Sequence, residues 1–541
     1  MKKLLTAVAL LLTASITLSG QRMPQNLQKL MNAVFGVTAF YVDSVDEEKV
    51  VEDAIKGMLE KLDPHSTYTD PKETKEATEP LQGEFEGIGI QFNMKEDTLY
   101  VIQTIPNGPS ERVGIKAGDR IVMVNDSVIA GVKMARRDIM KRLRGKKGTK
   151  VDVQVKRRGV KDLITFRITR DKIPLHTVDA SYMLDERTGY VRLNSFGAKT
   201  HDEMMTALDK LRKQGMTQVV IDLSDNGGGY LQAAVALCNE FLEAGQMIVY
   251  TEGRAVERSE AHAQGNGHYK DLKMAVIVNQ SSASASEIFS GAMQDWDRAV
   301  LVGRRTFGKG LVQRPFEYSD GSMMRLTVAR YHTPSGRCIQ KPYEKGNKKA
   351  YSEDLLERER EGEYFHLDSI HFNDSLRYQT LLNYRPVYGG GGVMPDIYVP
   401  VDTSEYSTYY RDLVAKGIVN QYVVGYVDKN RETLKKQYPT LKDFDQQFAL
   451  TDTDMADFIA MGEKDSVHYD EAKYRTSERL LRTMIKGLVA RDIFADPGAY
   501  SMVVNHFNHD VQAALEVLYD DQRFNQLLRE GNRDYERLVR K

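Results

Sequence analysis

The chain has 541 residues, 41% of them hydrophobic and 28% charged, with a formal net charge of −1. That length is more than one hydrophobic core can serve, so three or four domains are expected. The composition is that of a globular protein rather than a disordered one, and the balanced charge excludes a global basic field for nucleic acid.

At the N-terminus, Lys2 and Lys3 precede the apolar run "LLTAVALLLTASITL", followed by Ser19 and Gly20. This is the order of a secretory signal over residues 1–20. The run is short for a membrane span, and an uncleaved anchor is the alternative. No Cys stands near the cut, which argues against a lipid anchor.

Residues 21 to about 80 read as a small helical region. Val50, Val51, Ala54, Met58, Leu59 and Leu62 recur at helical spacing until "DPHSTYTDP" stops the pattern. From 81 to 172 the texture is β-like: "GIGIQFN", "LYVIQTI", "DRIVMVND", "KVDVQVKR" and "LITFRIT", with one helical pattern, "ARRDIMKRLRG". From 173 to 400 strands and helices alternate, which predicts an α/β layer with parallel strands. The polar stretch 341–388 within it, containing "EDLLEREREGEY", reads as a solvated insertion. Residues 401–541 read as a helical extension for packing or oligomerisation. Cys238 lies in the helical pattern "LQAAVALCNEFL", as a small buried apolar residue would, and two cysteines make no disulfide framework.

Three pieces of the α/β block carry chemistry. In "AVIVNQSSASASEIFSGAMQDW" a buried strand runs into a helix, and Ser284 with Glu287 has capping-box spacing. A plain N-cap explains Ser284 equally well. A nucleophile at that position, however, sits among unpaired N–H groups able to hold an oxyanion. Lys309, in "GRRTFGKGLVQ", is a candidate base, since Ser-Lys pairs replace the Ser-His-Asp triad in some hydrolases. To act near neutral pH its pKa must fall about three units from ~10.4, roughly 4 kcal/mol, which burial or a nearby cation supplies. Phe307 is placed to desolvate it, and Gln313 to orient it. His332 reads as structural. The third piece, "DLSDNGGG", lacks the spacing of a phosphate loop. It suits an oxyanion hole made by Gly227 or Gly228 with the N–H of Ala285.

Together these segments resemble the carboxyl-terminal processing (tail-specific) proteases of peptidase family S41 over about residues 40–400. The resemblance implies an α/β protease core of the ClpP/crotonase-like type, with Ser284 as nucleophile, Lys309 as general base and Gln313 supporting the base. Ser281, Ser282 and Ser286 are then spectators. "LQGEFEGIGIQF" and "PNGPSERVGIKAGDRIVMVND" look like a PDZ domain, in which backbone around Gly87, Ile88, Gly89 and Ile90 would hold a substrate C-terminus. The family often has Arg and Pro where this chain has Ser224 and Gly227, and Tyr where it has His332.

The expected fold is therefore multidomain α/β: N-terminal helical region, PDZ domain, protease core and C-terminal helical extension. The expected function is an exported serine endopeptidase of the bacterial periplasm or cell envelope, using no metal or cofactor. Its expected partners are proteins with accessible, apolar C-termini; a homo-oligomer, an adaptor and membrane proximity through an uncleaved leader stay open. A non-catalytic PDZ scaffold is the rival reading. An α/β hydrolase of small esters is disfavoured because the serine segment has no G-x-S-x-G elbow.

Overall fold

The computed structural model describes residues 24–540, so the leader read at 1–20 lies outside the described residues. The central α/β domain is built on a six-stranded sheet. Its strands, in spatial order, are Val178–Met183, Thr188–Leu193, Gln218–Asp222, Lys273–Val278, Val300–Gly303 and Ile397–Tyr398. The first pair is antiparallel and the rest are parallel. Gln218–Asp222 and Val300–Gly303 are buried along their whole lengths, as strands covered on both faces must be.

The two faces are covered by different parts of the chain. Helices Thr200–Lys213, Leu231–Asn239 and Ala285–Asp295 supply Leu208, Leu211, Leu237, Cys238, Ile288 and Phe289 to one core. The other face, with Val220, Ala275, Ile277, Val300 and Val302, is sealed by Val511, Ala514, Val517 and Leu518 from helix His509–Tyr519. Part of the C-terminal extension thus completes the central domain's sheet packing. The remainder forms its own helical core around Tyr422, Phe444, Phe458, Leu481 and Ile485.

Residues 84–174 hold the β-rich domain. Its main sheet runs Ile90–Lys95, Thr98–Thr104, Arg120–Val124, Lys150–Lys156, Ile164–Thr169, leaving Ile90–Lys95 at an edge. Helix Arg136–Leu143 buries Ile139 and Leu143 against this sheet. Strand Glu84–Gly87 pairs with Asp171–Pro174 and ties the domain's entry to its exit.

Two segments differ from the sequence reading. The N-terminal region is helical over Gln25–Phe40, Glu47–Glu60 and Pro71–Gln82, yet Thr67–Thr69 forms a strand against Met323–His332. Three residues are too few to show a period of two, and only tertiary pairing makes them a strand. The stretch 341–388 is not simply solvated. Helix Lys348–Arg360 buries Tyr351 and Arg358, and Arg358 donates to the carbonyls of Thr306 and Arg305 at 3.1 and 2.9 Å. Its charge density hid this, because the contacts are made by a guanidinium reaching carbonyls rather than by an apolar stripe.

The packing of helix His509–Tyr519 makes a direct prediction. Leu518→Ala removes a side chain that is 1% exposed and should destabilise the central α/β domain by about 2–5 kcal/mol. Trp296, the single tryptophan, sits in that domain with its Nε1–H donated to the Met247 carbonyl, so its fluorescence during urea unfolding reads this change.

Candidate active site

The serine turn and the glycine loop leave the C-terminal ends of neighbouring parallel strands, Lys273–Val278 and Gln218–Asp222. In open α/β sheets this edge is where reacting groups collect. Ser284 precedes helix Ala285–Asp295 with φ 58° and ψ −112°, a conformation that a non-glycine residue holds only when its surroundings enforce it. Such strain is associated with functional positions.

The enforcing group is Glu287. Its carboxylate is fully buried and accepts four hydrogen bonds: from Ser284 N–H (2.8 Å), Thr306 Oγ1 (2.5 Å), Gly308 N–H (2.7 Å) and Lys309 N–H (2.9 Å). Burial pushes its pKa up, against the pull of these donors. One carboxylate therefore holds the backbone of both candidate residues, Ser284 and Lys309. From the other side, the buried Tyr331 hydroxyl lies between the carbonyl oxygens of the same two residues, 3.1 Å from that of Ser284 and bonded to that of Lys309. The lysine loop is further pinned by Phe307 N–H donating to Ser282 O at 3.0 Å. Gly308, at φ +87°, passes so close to the 389–392 glycine run that a Cβ would lie 3.0 Å from Gly392 N.

Lys309 is partly buried, and no hydrogen bond or ion pair ties its Nζ among the described residues. Burial lowers its pKa; the Arg325 charge adds to the effect, while Glu287 and Asp63 oppose it. Phe307, expected to shield this amine, carries Lys341 Nζ 4.2 Å over its ring and packs edge-on against Tyr351. Gln313 lies on strand Leu311–Glu317, opposite Thr327, and its Nε2 donates to Thr327 Oγ1 and Leu311 O, both at 3.2 Å.

The glycine loop is drawn onto the serine turn. Gly228, at φ +95°, has no room for a side chain, since a Cβ would fall 2.7 Å from Ser284 Cβ and 2.8 Å from Ala285 N. Asn226 organises the contact. Its carbonyl accepts from Ala283 N–H (3.0 Å) and Ser286 Oγ (2.8 Å), and its Oδ1 accepts from Gly228 N–H (2.9 Å). Ser286 and Ser282, the latter donating to Leu223 O at 2.7 Å, fasten the turn. His332 stacks on Tyr250 with centroids 4.6 Å apart and bonds Gly336 O. Strand alternation sends it away from the face that Tyr331 presents to the site.

Sequence reasoning missed Glu287 as a tie between Ser284 and Lys309, and it missed Tyr331, Asn226 and the Asp63–Ser66 segment. Only Glu287 left a local trace, its place in the capping box. In the β-rich domain, Gly87, Ile88, Gly89 and Ile90 line a groove between the edge strand and helix Arg136–Leu143, with Phe85, Phe92, Met140 and Leu143. The carbonyls of Ile88 and Gly89 accept from Ser110 and Ile105 N–H, each at 3.0 Å, which anchors the loop from within the domain.

The fold and the site define a serine endopeptidase that carries a PDZ domain: residues 187–346 match peptidase family S41 and residues 87–168 match the PDZ domain family. The chain belongs to the carboxy-terminal processing proteases of family S41, being 35% identical over 345 residues to carboxy-terminal processing protease CtpA of Bacillus subtilis (strain 168), across 62% of this chain and 72% of that protein. Residues 11–74 match the N-terminal domain of the activating protease CtpB, and residues 409–496 match a family of unknown function, DUF8443. Among solved structures, the photosystem II D1 C-terminal processing protease is 28% identical with a TM-score of 0.34, covering 59% of this chain and 91% of that one. The PDZ domain of the carboxy-terminal protease from Vibrio cholerae in complex with peptide is 30% identical with a TM-score of 0.16, covering 17% of this chain and 99% of that one.

Replacing one acceptor oxygen of Glu287 with an NH2 group sets a donor against donors. Glu287→Gln should lower kcat at least about a hundredfold and cost about 1–3 kcal/mol of stability. Tyr331→Phe should lower kcat about tenfold with KM nearly unchanged. Steady-state kinetics on a peptide substrate, alongside Trp296 fluorescence, check both.

Proposed function

We propose that the protein is an exported serine endopeptidase that captures protein C-termini through its PDZ domain and cuts near the C-terminal end with a Ser284–Lys309 dyad. The observation that carries the reading is the double tie between the two residues, Glu287 at their N–H groups and Tyr331 at their carbonyls. In this scheme Lys309 Nζ, its pKa lowered by burial and acting in its deprotonated form, takes the Ser284 proton as Oγ attacks the scissile carbonyl. The oxyanion is held by Ala285 N–H together with that of Gly228 or Gly227. Gly228 N–H is engaged by Asn226 Oδ1, so its use requires that bond to be shared, whereas Gly227 N–H has no acceptor among the described residues. Lys309 returns the proton to the leaving amine, and water, deprotonated by the same group, resolves the acyl-enzyme. No step draws on a metal or cofactor.

An extended chain end would add to the edge strand Ile90–Lys95, its carboxylate on the N–H groups around Gly87, Ile88 and Gly89, its last apolar side chain in the groove. Export rests on the Lys2–Lys3 and apolar order of the leader; cell fractionation with and without residues 1–20 tests it.

Ser284→Ala and Lys309→Ala should each abolish cleavage of an unfolded protein, and Gln313→Ala should reduce it. The sign of the pH dependence follows from the base: Lys309 works deprotonated, so kcat/KM should rise with pH along a limb whose midpoint lies below the ordinary lysine value. His65, held down to about 4 by burial and the neighbouring Lys309 charge, is already neutral throughout that limb. Amidating a peptide's C-terminus should cut kcat/KM about tenfold or more, the loss of charge-assisted hydrogen bonds. Equal cleavage of acid and amide would remove the PDZ part of the proposal.

A further inference from the structure

The segment Asp63–Ser66 joins helix Glu47–Glu60 to strand Thr67–Thr69, far in sequence from the serine and the lysine, yet it bonds Thr327, the residue opposite Gln313. The Asp63 carboxylate is 6% exposed and accepts from Thr327 Oγ1 (2.8 Å), from the Ser66 hydroxyl, and from the N–H groups of His65 (2.9 Å) and Ser66 (3.0 Å). Ser66 Oγ in turn accepts from Thr327 N–H at 3.1 Å. Thr327 is thus held by its backbone and its side chain, both from this one segment. Burial raises the Asp63 pKa, and the hydrogen bonds from Ser66, Thr327 and the two backbone amides outweigh it, so the net direction is down and the group is ionised at neutral pH.

The direction of the chain of bonds follows from which atoms carry protons. A carboxylate only accepts, so the Thr327 hydroxyl must spend its one proton on Asp63. The hydroxyl oxygen is then left as an acceptor, and the group that meets it from strand Leu311–Glu317 is Gln313 Nε2, at 3.2 Å. The second Nε2 hydrogen is taken by Leu311 O. With both N–H bonds engaged, the amide cannot flip without setting its oxygen against a carbonyl oxygen, and Oε1 has no donor among the described residues.

Resting on the Ser284–Lys309 reading above, we infer that Asp63 and Thr327 are positioning residues for the protease. They lock the amide of Gln313 so that its oxygen, not its nitrogen, is the end offered to the Lys309 amine. No hydrogen bond joins the two side chains in this structure; in the reacting complex the amide oxygen takes one N–H of the neutral amine and so fixes the direction of the lone pair that removes the Ser284 proton, where an NH2 group would compete for that lone pair. The active site is then incomplete without a loop of the N-terminal region, which supplies no group to the reacting atoms.

The experiment is a double-mutant cycle in the full chain. Thr327→Val keeps the shape and deletes the hydroxyl; Asp63→Asn removes the obligate acceptor; Thr327→Ser keeps the hydroxyl. Each is made with Gln313 intact and with Gln313→Ala. The kcat and KM for a peptide with a free, apolar C-terminus are measured, and folding is read from Trp296 fluorescence. Thr327→Val and Asp63→Asn should lower kcat about ten- to a hundredfold with KM within about twofold, and Thr327→Ser should restore it. In the Gln313→Ala background Thr327→Val should cost less than about twofold, because the group it positions is gone. Wild-type kcat in Thr327→Val, or the same fold loss with and without Gln313, would overturn the inference. Should Thr327→Val fold poorly, the same two criteria apply to Asp63→Asn. Ser284→Ala and Lys309→Ala run alongside: full activity in either sinks the dyad and this inference together, whereas inactivity of both with an unaffected Thr327→Val sinks this inference alone.

Discussion

The site depends on one buried carboxylate. Glu287 has no solvent to ionise into, yet four donors converge on it, two of them the N–H groups of Ser284 and Lys309. A buried acceptor stripped of such donors would cost several kcal/mol, so the serine turn and the lysine loop are each held in place by the penalty of leaving it. The strained backbone of Ser284 persists for the same reason. Ser and Lys stand on separate segments, one before a helix and one before a strand, and this tie joins Tyr331 and the Phe307–Ser282 bond in fixing the one against the other.

Around that tie the fold supplies three further constraints. The parallel strands bring the serine turn and the glycine loop to one edge, and Asn226 locks the two together. Tyr331, from strand Met323–His332, closes the far side. Helix Lys348–Arg360 braces the lysine loop through Arg358, and strand Thr67–Thr69 brings the N-terminal region onto the strand that carries Thr327. Burial then acts on Lys309, because a desolvated amine with no tied counter-ion among the described residues gives up its proton more readily.

Much of this was legible in the sequence because it is local. The alternation of strands and helices announced the parallel sheet, β-branched runs announced a β-rich domain that its motifs marked by resemblance as PDZ-like, and the Ser284–Glu287 spacing announced a helix start. What was hidden is long-range. The capping box gives Glu287 one partner, while the other three come from residues 306–309, and no period connects them. Tyr331 and His332 are neighbours of which the more chemically suggestive, His332, points away from the site. Asp63 and Ser66 sit in a stretch that reads as a turn, and their hydrogen bonds to Thr327 depend wholly on tertiary pairing. The insertion and the C-terminal helices looked peripheral by composition, but each buries residues against the catalytic domain.

The central claim is that one carboxylate couples the serine turn to the lysine loop, and amide hydrogen exchange of wild type and Glu287→Gln, read by mass spectrometry on peptides covering 280–288 and 304–312, tests it most directly. The account predicts slow exchange of both peptides in wild type and a joint acceleration in the variant. Acceleration of the serine peptide with the lysine peptide unchanged would contradict it.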